Sequence, residues 1–98
     1  MRHHVLVAYD ISDATRLRKV ARIAQDFGDR VQLSVFACRL NEKELAVLRE
    51  RLRRTMDAVQ DQVVLVKLAP VRDESDPGPG LEVLGRAMAF RDKRQMIF

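Results

Sequence analysis

The stretch RVQLSVFACRL, running from Arg30 to Leu40, decides the fold. Val31, Leu33, Val35 and Ala37 alternate with Gln32, Ser34, Phe36 and Cys38, the period-two pattern of a β-strand. At about 3.3 Å per residue, a single strand of this length is long. Taken as one strand, it gives the order strand–helix–strand–helix–strand. Bent or split into a hairpin near Phe36–Arg39, it gives βαββαβ, the ferredoxin-like plan. Either way the class is α+β: a two-layer sandwich with both helices on one face of a sheet.

Upstream, Val5, Leu6, Val7, Ala8 and Tyr9 form a near-continuous apolar run, as expected of a central strand buried on both faces. The run ends at Asp10-Ile11-Ser12-Asp13, where Ser12 or Asp13 suits a helix N-cap. From Asp13 to Phe27, Leu17, Val20, Ala21, Ala24 and Phe27 make one apolar helical stripe, with Arg16, Lys19 and Arg22 off it. Gly28 is placed to end this helix in a left-handed C-cap.

Downstream, Asn41 caps a second helix reaching to about Asp57, with the stripe Leu45, Leu48, Leu52 and Met56. Its outer faces carry Arg49, Arg51, Arg53 and Arg54 among Glu42, Glu44 and Glu50, and Glu50 with Arg54 is a favourable i,i+4 pair. Asp61 to Ala69 is a third apolar strand, ended by Pro70. Residues 71–80 carry turn chemistry and acid and are expected to be a mobile loop. Leu81 to Leu84 suits a short strand. The apolar tail Gln95–Phe98 is expected to pair with a sheet edge, its own or a partner's.

The 98 residues fit one domain, 1–98, without internal repeats. Hydrophobic residues are 47% of the chain, but a core this small buries only a modest share of its surface, so a second subunit is an expected support. The net charge is +4, and a homodimer would carry 2 × 4 = +8, which favours a polyanionic partner. Of the 18 basic residues, Lys19, Lys43, Lys67 and Lys93 are lysines and the other 14 are arginines, whose planar forks fit phosphate oxygens. A GC-rich genome would give the same bias. Cys38 is the single cysteine, so no internal disulfide forms, and no Cys/His zinc pattern occurs. The opening Met-Arg-His-His lacks signal-peptide character and no apolar run approaches a membrane span, so a soluble, cytoplasmic protein with no membrane partner is expected.

Asp10 stands at the carboxyl end of the first strand, beside Tyr9. A hard cation such as Mg²⁺ or Mn²⁺ takes oxygen ligands and keeps several waters, so one or two protein carboxylates suffice. The competing role for Asp10 is to cap the following turn. Asp13 is a second ligand, an N-cap or a partner for Arg16. Arg16, Arg18, Lys19 and Arg22 form a basic cluster suited to phosphate, or an ordinary solvated helix face. Arg30 begins its strand and is expected to point back toward Asp10. Phe36 suits stacking on a base, or packing in the core or at a subunit interface. His3 and His4 are adjacent, face opposite sides of a strand and make a poor metal pair. Ser12, Ser34 and Cys38 have no evident base, and no glycine-rich phosphate loop occurs.

Val7-Ala8-Tyr9-Asp10-Ile11, followed by Asp13, Arg16 and Arg18, resembles the opening of the CRISPR-associated endoribonuclease family of Cas-two type. Gly28-Asp29-Arg30-Val31-Gln32-Leu33-Ser34-Val35-Phe36 resembles its second signature, G-x-R-V-Q-x-S-V-F. The similarity covers roughly residues 3–70. It implies a ferredoxin-like fold and a homodimer, with the last strand of each subunit, here 95–98, docked on the other's sheet. It implies that Asp10 from two subunits shares a divalent metal, and that Tyr9, Arg16, Arg18, Arg30 and Phe36 are the other site residues. The implied role is in CRISPR adaptation, between integrase dimers of Cas-one type, with DNA or RNA as partner. Ala37 departs from the acidic residue that many members carry after S-V-F, and the acidic, Pro/Gly-rich 73–80 loop departs as well. Two readings follow: a Mg²⁺-dependent phosphodiesterase, and a non-catalytic DNA-binding scaffold. A ribonuclease toxin of related fold is a distant third, which the complete second signature argues against.

Overall fold

The computed structural model describes residues 1–86. The elements are β1 (His3–Asp10), α1 (Ala14–Phe27), β2 (Gly28–Gln32), β3 (Val35–Leu40), α2 (Glu42–Thr55) and β4 (Gln62–Pro70). The expected βαββαβ order is therefore present, and the strands form one antiparallel sheet in the order β2-β3-β1-β4.

The hairpin does not bend at Phe36–Arg39. Its turn is Leu33–Ser34, with Gln32 opposite Val35. The cause is the length of β1: β3 pairs with it from His3↔Leu40 to Ala8↔Val35, which makes Phe36–Arg39 mid-strand. The turn's carbonyls are satisfied by one residue of β1. The Tyr9 amide donates to Ser34 O at 3.1 Å, and the Tyr9 hydroxyl donates to Leu33 O at 3.1 Å.

Helix α1 starts where Asp13 accepts a hydrogen bond from the Arg16 amide at 2.9 Å, and it buries Val20, Ala21, Ile23 and Ala24. Gly28 ends it differently from the expected left-handed cap. Its φ of −166° is extended, and the chain passes straight from helix into β2. Glycine is needed there for close approach, because a Cβ would run into the Ala37 carbonyl and the Cys38 thiol of β3. Helix α2 opens with a capping box: Asn41 Oδ1 accepts from the Glu44 amide at 2.7 Å, and Glu44 accepts from the Asn41 amide at 2.9 Å.

Both helices lie on one face of the sheet. Their stripes close over Val5, Val7, Tyr9, Phe36, Cys38 and Leu40, with Val63 and Leu65 of β4 at the margin. The opposite face carries Leu6 and Ala8 of β1, flanked in register by Ala37 and Val35 on β3 and by Val66 and Val64 on β4. No helix covers it. Asp10, of the same strand parity as Leu6 and Ala8, ends this face.

Residues 81–84 do not form the short strand expected of them. The segment after β4 is held at the opposite end of β1 from Asp10. The Asp76 carboxylate accepts from the amides of Arg72 and Gly78, each at 2.9 Å, and lies 3.2 Å from His4 Nε2. Arg39 donates to the Asp76 carbonyl at 2.6 Å. The tail 95–98 lies outside the described residues.

Candidate functional site

Asp10 is exposed, the last residue of β1, in register with Gln62 of β4. Tyr9 points the other way, into the core. Its ring stacks on Phe36 with centroids 6.3 Å apart and planes inclined by 25°. The Arg30 guanidinium lies over the Phe36 ring, 5.1 Å from its centroid. Burial pushes the Tyr9 hydroxyl above its ordinary pKa, with the charge and hydrogen bond of Arg30 opposing it. Tyr9, Arg30 and Phe36 are thus one buried unit, and Arg30 is 8% exposed instead of reaching the solvent beside Asp10. An arginine is tolerated there because its planar cation spreads over an aromatic face.

Arg16 is also committed. Its Nε donates to Asp61 Oδ2 at 2.8 Å and its Nη2 to Asp61 Oδ1 at 3.2 Å, while Nη2 also reaches Ser12 Oγ at 3.1 Å. The Asp61 side chain is fully enclosed. It also accepts from the Ser12 amide at 3.0 Å, the Ser12 hydroxyl at 3.1 Å and the Asp57 amide at 2.8 Å. The Arg16 guanidinium, with these donors, holds the Asp61 carboxyl well below the usual carboxylate range, and Asp61 in turn raises Arg16. Arg18, Lys19 and Arg22 remain exposed on the outer side of α1.

The expected site residues therefore fall into four places: Asp10 in solvent at the end of the sheet face opposite the helices, Arg18 in solvent on α1, Tyr9, Arg30 and Phe36 in the core, and Arg16 on Asp61 and Ser12. From the sequence, Asp61 reads only as the start of the third strand. Asp61 lies 45 residues from Arg16, and nothing local marks it as a partner. Among the described residues, two clefts lie away from Asp10. One, of about 580 Å³, separates residues 77–83 from the β2–β3 hairpin. The other, of about 310 Å³, lies between α2 and β4 with Arg49 and Arg53 on its rim. Among the described residues, no three His, Cys, Asp or Glu side chains gather to hold a metal, and no helix is long and apolar enough to cross a membrane. A lone carboxylate fits only a strongly hydrated hard cation, completed by water and by ligands from elsewhere.

The family described as CRISPR associated protein Cas2 matches residues 1–75. A Thermus thermophilus relative named CRISPR-associated endonuclease Cas2 2 is 45% identical over 74% of this chain and 81% of its own length. A Rhodospirillum rubrum relative named CRISPR-associated endoribonuclease Cas2 1 is 35% identical over 97% of this chain and 90% of its own. Among solved structures, a hypothetical protein from Thermus thermophilus superposes with a TM-score of 0.75 at 40% identity, covering 90% of this chain and 96% of that one.

Proposed function

The chain belongs to the CRISPR-associated Cas2 family, and on that premise we propose that it is a dimeric, nucleic-acid-binding subunit of the CRISPR adaptation machinery that cleaves phosphodiester bonds with a divalent metal. The observation that carries this reading is the position of Asp10: exposed, at the end of an aliphatic sheet face that none of the described elements covers. Packing two such faces removes Leu6, Ala8, Val64 and Val66 from water and brings the Asp10 ends of two chains into one interface. Two carboxylates and water then make an oxygen donor set suited to Mg²⁺ or Mn²⁺. When bound, such a cation supplies a hydroxide nucleophile and offsets phosphoryl charge. Arg18, with Lys19 and Arg22, binds the phosphate backbone of single-stranded RNA or duplex DNA. Tyr9, Arg30 and Phe36 support the strand end that presents Asp10. The protein works in the cytoplasm, between integrase dimers of Cas-one type.

The burial of Tyr9, Arg30 and Phe36 favours a second reading, in which the dimer is a scaffold that grips DNA and bridges integrase dimers without cutting. One experiment separates the two. Wild-type and Asp10→Ala proteins are incubated with labelled single-stranded RNA and duplex DNA, with Mg²⁺ or with chelator. Metal-dependent cleavage by the wild type alone supports the nuclease. No cleavage, or equal cleavage by both, leaves the scaffold.

A further inference from the structure

The chain around Asp10 is fixed from two sides, and both supports come from the same short segment. Asp10 pairs in register with Gln62. Two residues further along, Ser12 is held through its amide and its hydroxyl by the carboxylate of Asp61, the immediate neighbour of Gln62. The same carboxylate takes both Nε and Nη2 of Arg16 and the Asp57 amide, so its two oxygens accept from loop, helix and turn together. It is shielded completely from solvent, whereas the Arg16 side chain is 26% exposed. A forked arginine–carboxylate pair of this geometry is directional, and withdrawing the arginine would leave an enclosed carboxylate without its cation.

We propose that Asp61 is the positioning residue for Asp10, and that Arg16 acts through Asp61 and not as a phosphate ligand. The proposal rests on the reading of Asp10 as the functional carboxylate. Asp61 clamps the Ile11–Asp13 loop, sets the start of α1 and so fixes the direction in which the end of β1 presents its side chain. Arg16 spends its Nε–Nη2 edge on that clamp. Phosphate contact falls instead to Arg18, exposed and without an ion pair among the described residues.

The test uses the full chain and four variants: Arg16→Ala, Arg18→Ala, Asp61→Asn and the double variant Arg16→Ala/Asp61→Asn. All are compared at a temperature where circular dichroism shows each fully folded. Binding to duplex DNA and single-stranded RNA is titrated against salt. Loss of a phosphate contact lowers the slope of log affinity against log salt by about 1. We expect that change for Arg18→Ala and none for Arg16→Ala. Hydrogen exchange of the Ile11–Asp13 amides should rise at least about tenfold in Asp61→Asn and stay unchanged in Arg18→Ala. Cleavage should fall by about 10- to 100-fold in kcat for Arg16→Ala and Asp61→Asn alike, with KM within about twofold, and no further in the double variant. A reduced salt slope in Arg16→Ala, an unchanged exchange rate in Asp61→Asn, or losses in kcat that add would each overturn the proposal. If the wild type cleaves neither substrate, the catalytic reading falls on its own, while salt slopes and exchange still decide what Arg16 and Asp61 do.

Discussion

Tyr9 and Asp10 are neighbours in β1 and stand on opposite faces of the sheet. The tyrosine is 7% exposed beneath the helices, and the aspartate is in solvent on the uncovered face. A dipeptide that reads as one motif is therefore split between two jobs. Substitutions at the two positions should separate into stability and chemistry.

Removing the Tyr9 hydroxyl deletes its hydrogen bond to Leu33 O, so Tyr9→Phe should cost about 1 kcal/mol. Phe36 is fully buried, stacked on Tyr9 and in contact with the Arg30 guanidinium, and Phe36→Ala should cost about 3–5 kcal/mol. Asp10→Asn should stay within about 0.5 kcal/mol of wild type. Urea unfolding of the three variants checks the order, and a Phe36→Ala protein as stable as wild type would contradict the buried cluster.

Gly28 is constrained by space and not by a left-handed backbone. Gly28→Ala should destabilise the protein by about 1–3 kcal/mol, since the new methyl meets backbone as well as a thiol and β3 must shift to admit it. Thermal melts of Gly28→Ala beside Cys38→Ala/Gly28→Ala test this. Relief of the thiol contact should recover only part of the loss, because the Ala37 carbonyl stays in place.

Asp61 and Asp76 share an electrostatic condition. The Asp61 carboxyl is lowered chiefly by Arg16, and that of Asp76 chiefly by the amides of Arg72 and Gly78. A carboxyl depressed in the folded state stabilises the fold fully above its unfolded pKa, near 3.9, and loses that contribution as pH falls toward the folded value. Urea midpoints should therefore hold level from neutrality to about pH 5 and drop below about pH 4. Asp61→Asn should start lower at neutral pH and show a shallower acid drop. A variant curve parallel to the wild-type curve throughout would remove Asp61 as a source of the acid sensitivity.

The uncovered face makes a prediction about assembly. Val64 and Val66 are 42% and 39% exposed within one chain. Glutamate at either position leaves the helix-side core untouched but places charge in the proposed interface. Val66→Glu should weaken dimerisation by at least about tenfold, equivalent to about 1.4 kcal/mol, with the circular dichroism of the chain retained. Sedimentation of wild type and variant over a concentration series measures it. Equal association by both would place the dimer contact elsewhere.

The fold was legible where periodicity is strong. The stripes Leu17–Phe27 and Leu45–Leu52 form helices, Asp13 and Asn41 cap them, and the apolar runs form strands. The hairpin turn was misplaced because β3 is apolar on both sides, so alternation does not say which residues face the helices. Phe36 and Cys38, on the more polar side of the pattern, are the buried ones. The site was legible in part. A carboxylate at a strand end marks Asp10, but the partner of Arg16 comes from the far side of the chain. Whether an arginine meets solvent or a buried acid is decided by tertiary contact, which spacing along one helix does not record.

Hairpin tips are common places for a protein to accept extra residues. The Leu33–Ser34 turn is closed to that use, because its two carbonyls hold the amide and the hydroxyl of Tyr9. An insertion at this tip would strip both partners from one core residue at once. A genetically fused reporter or affinity handle placed there would report on a damaged protein, however accessible the loop looks from outside.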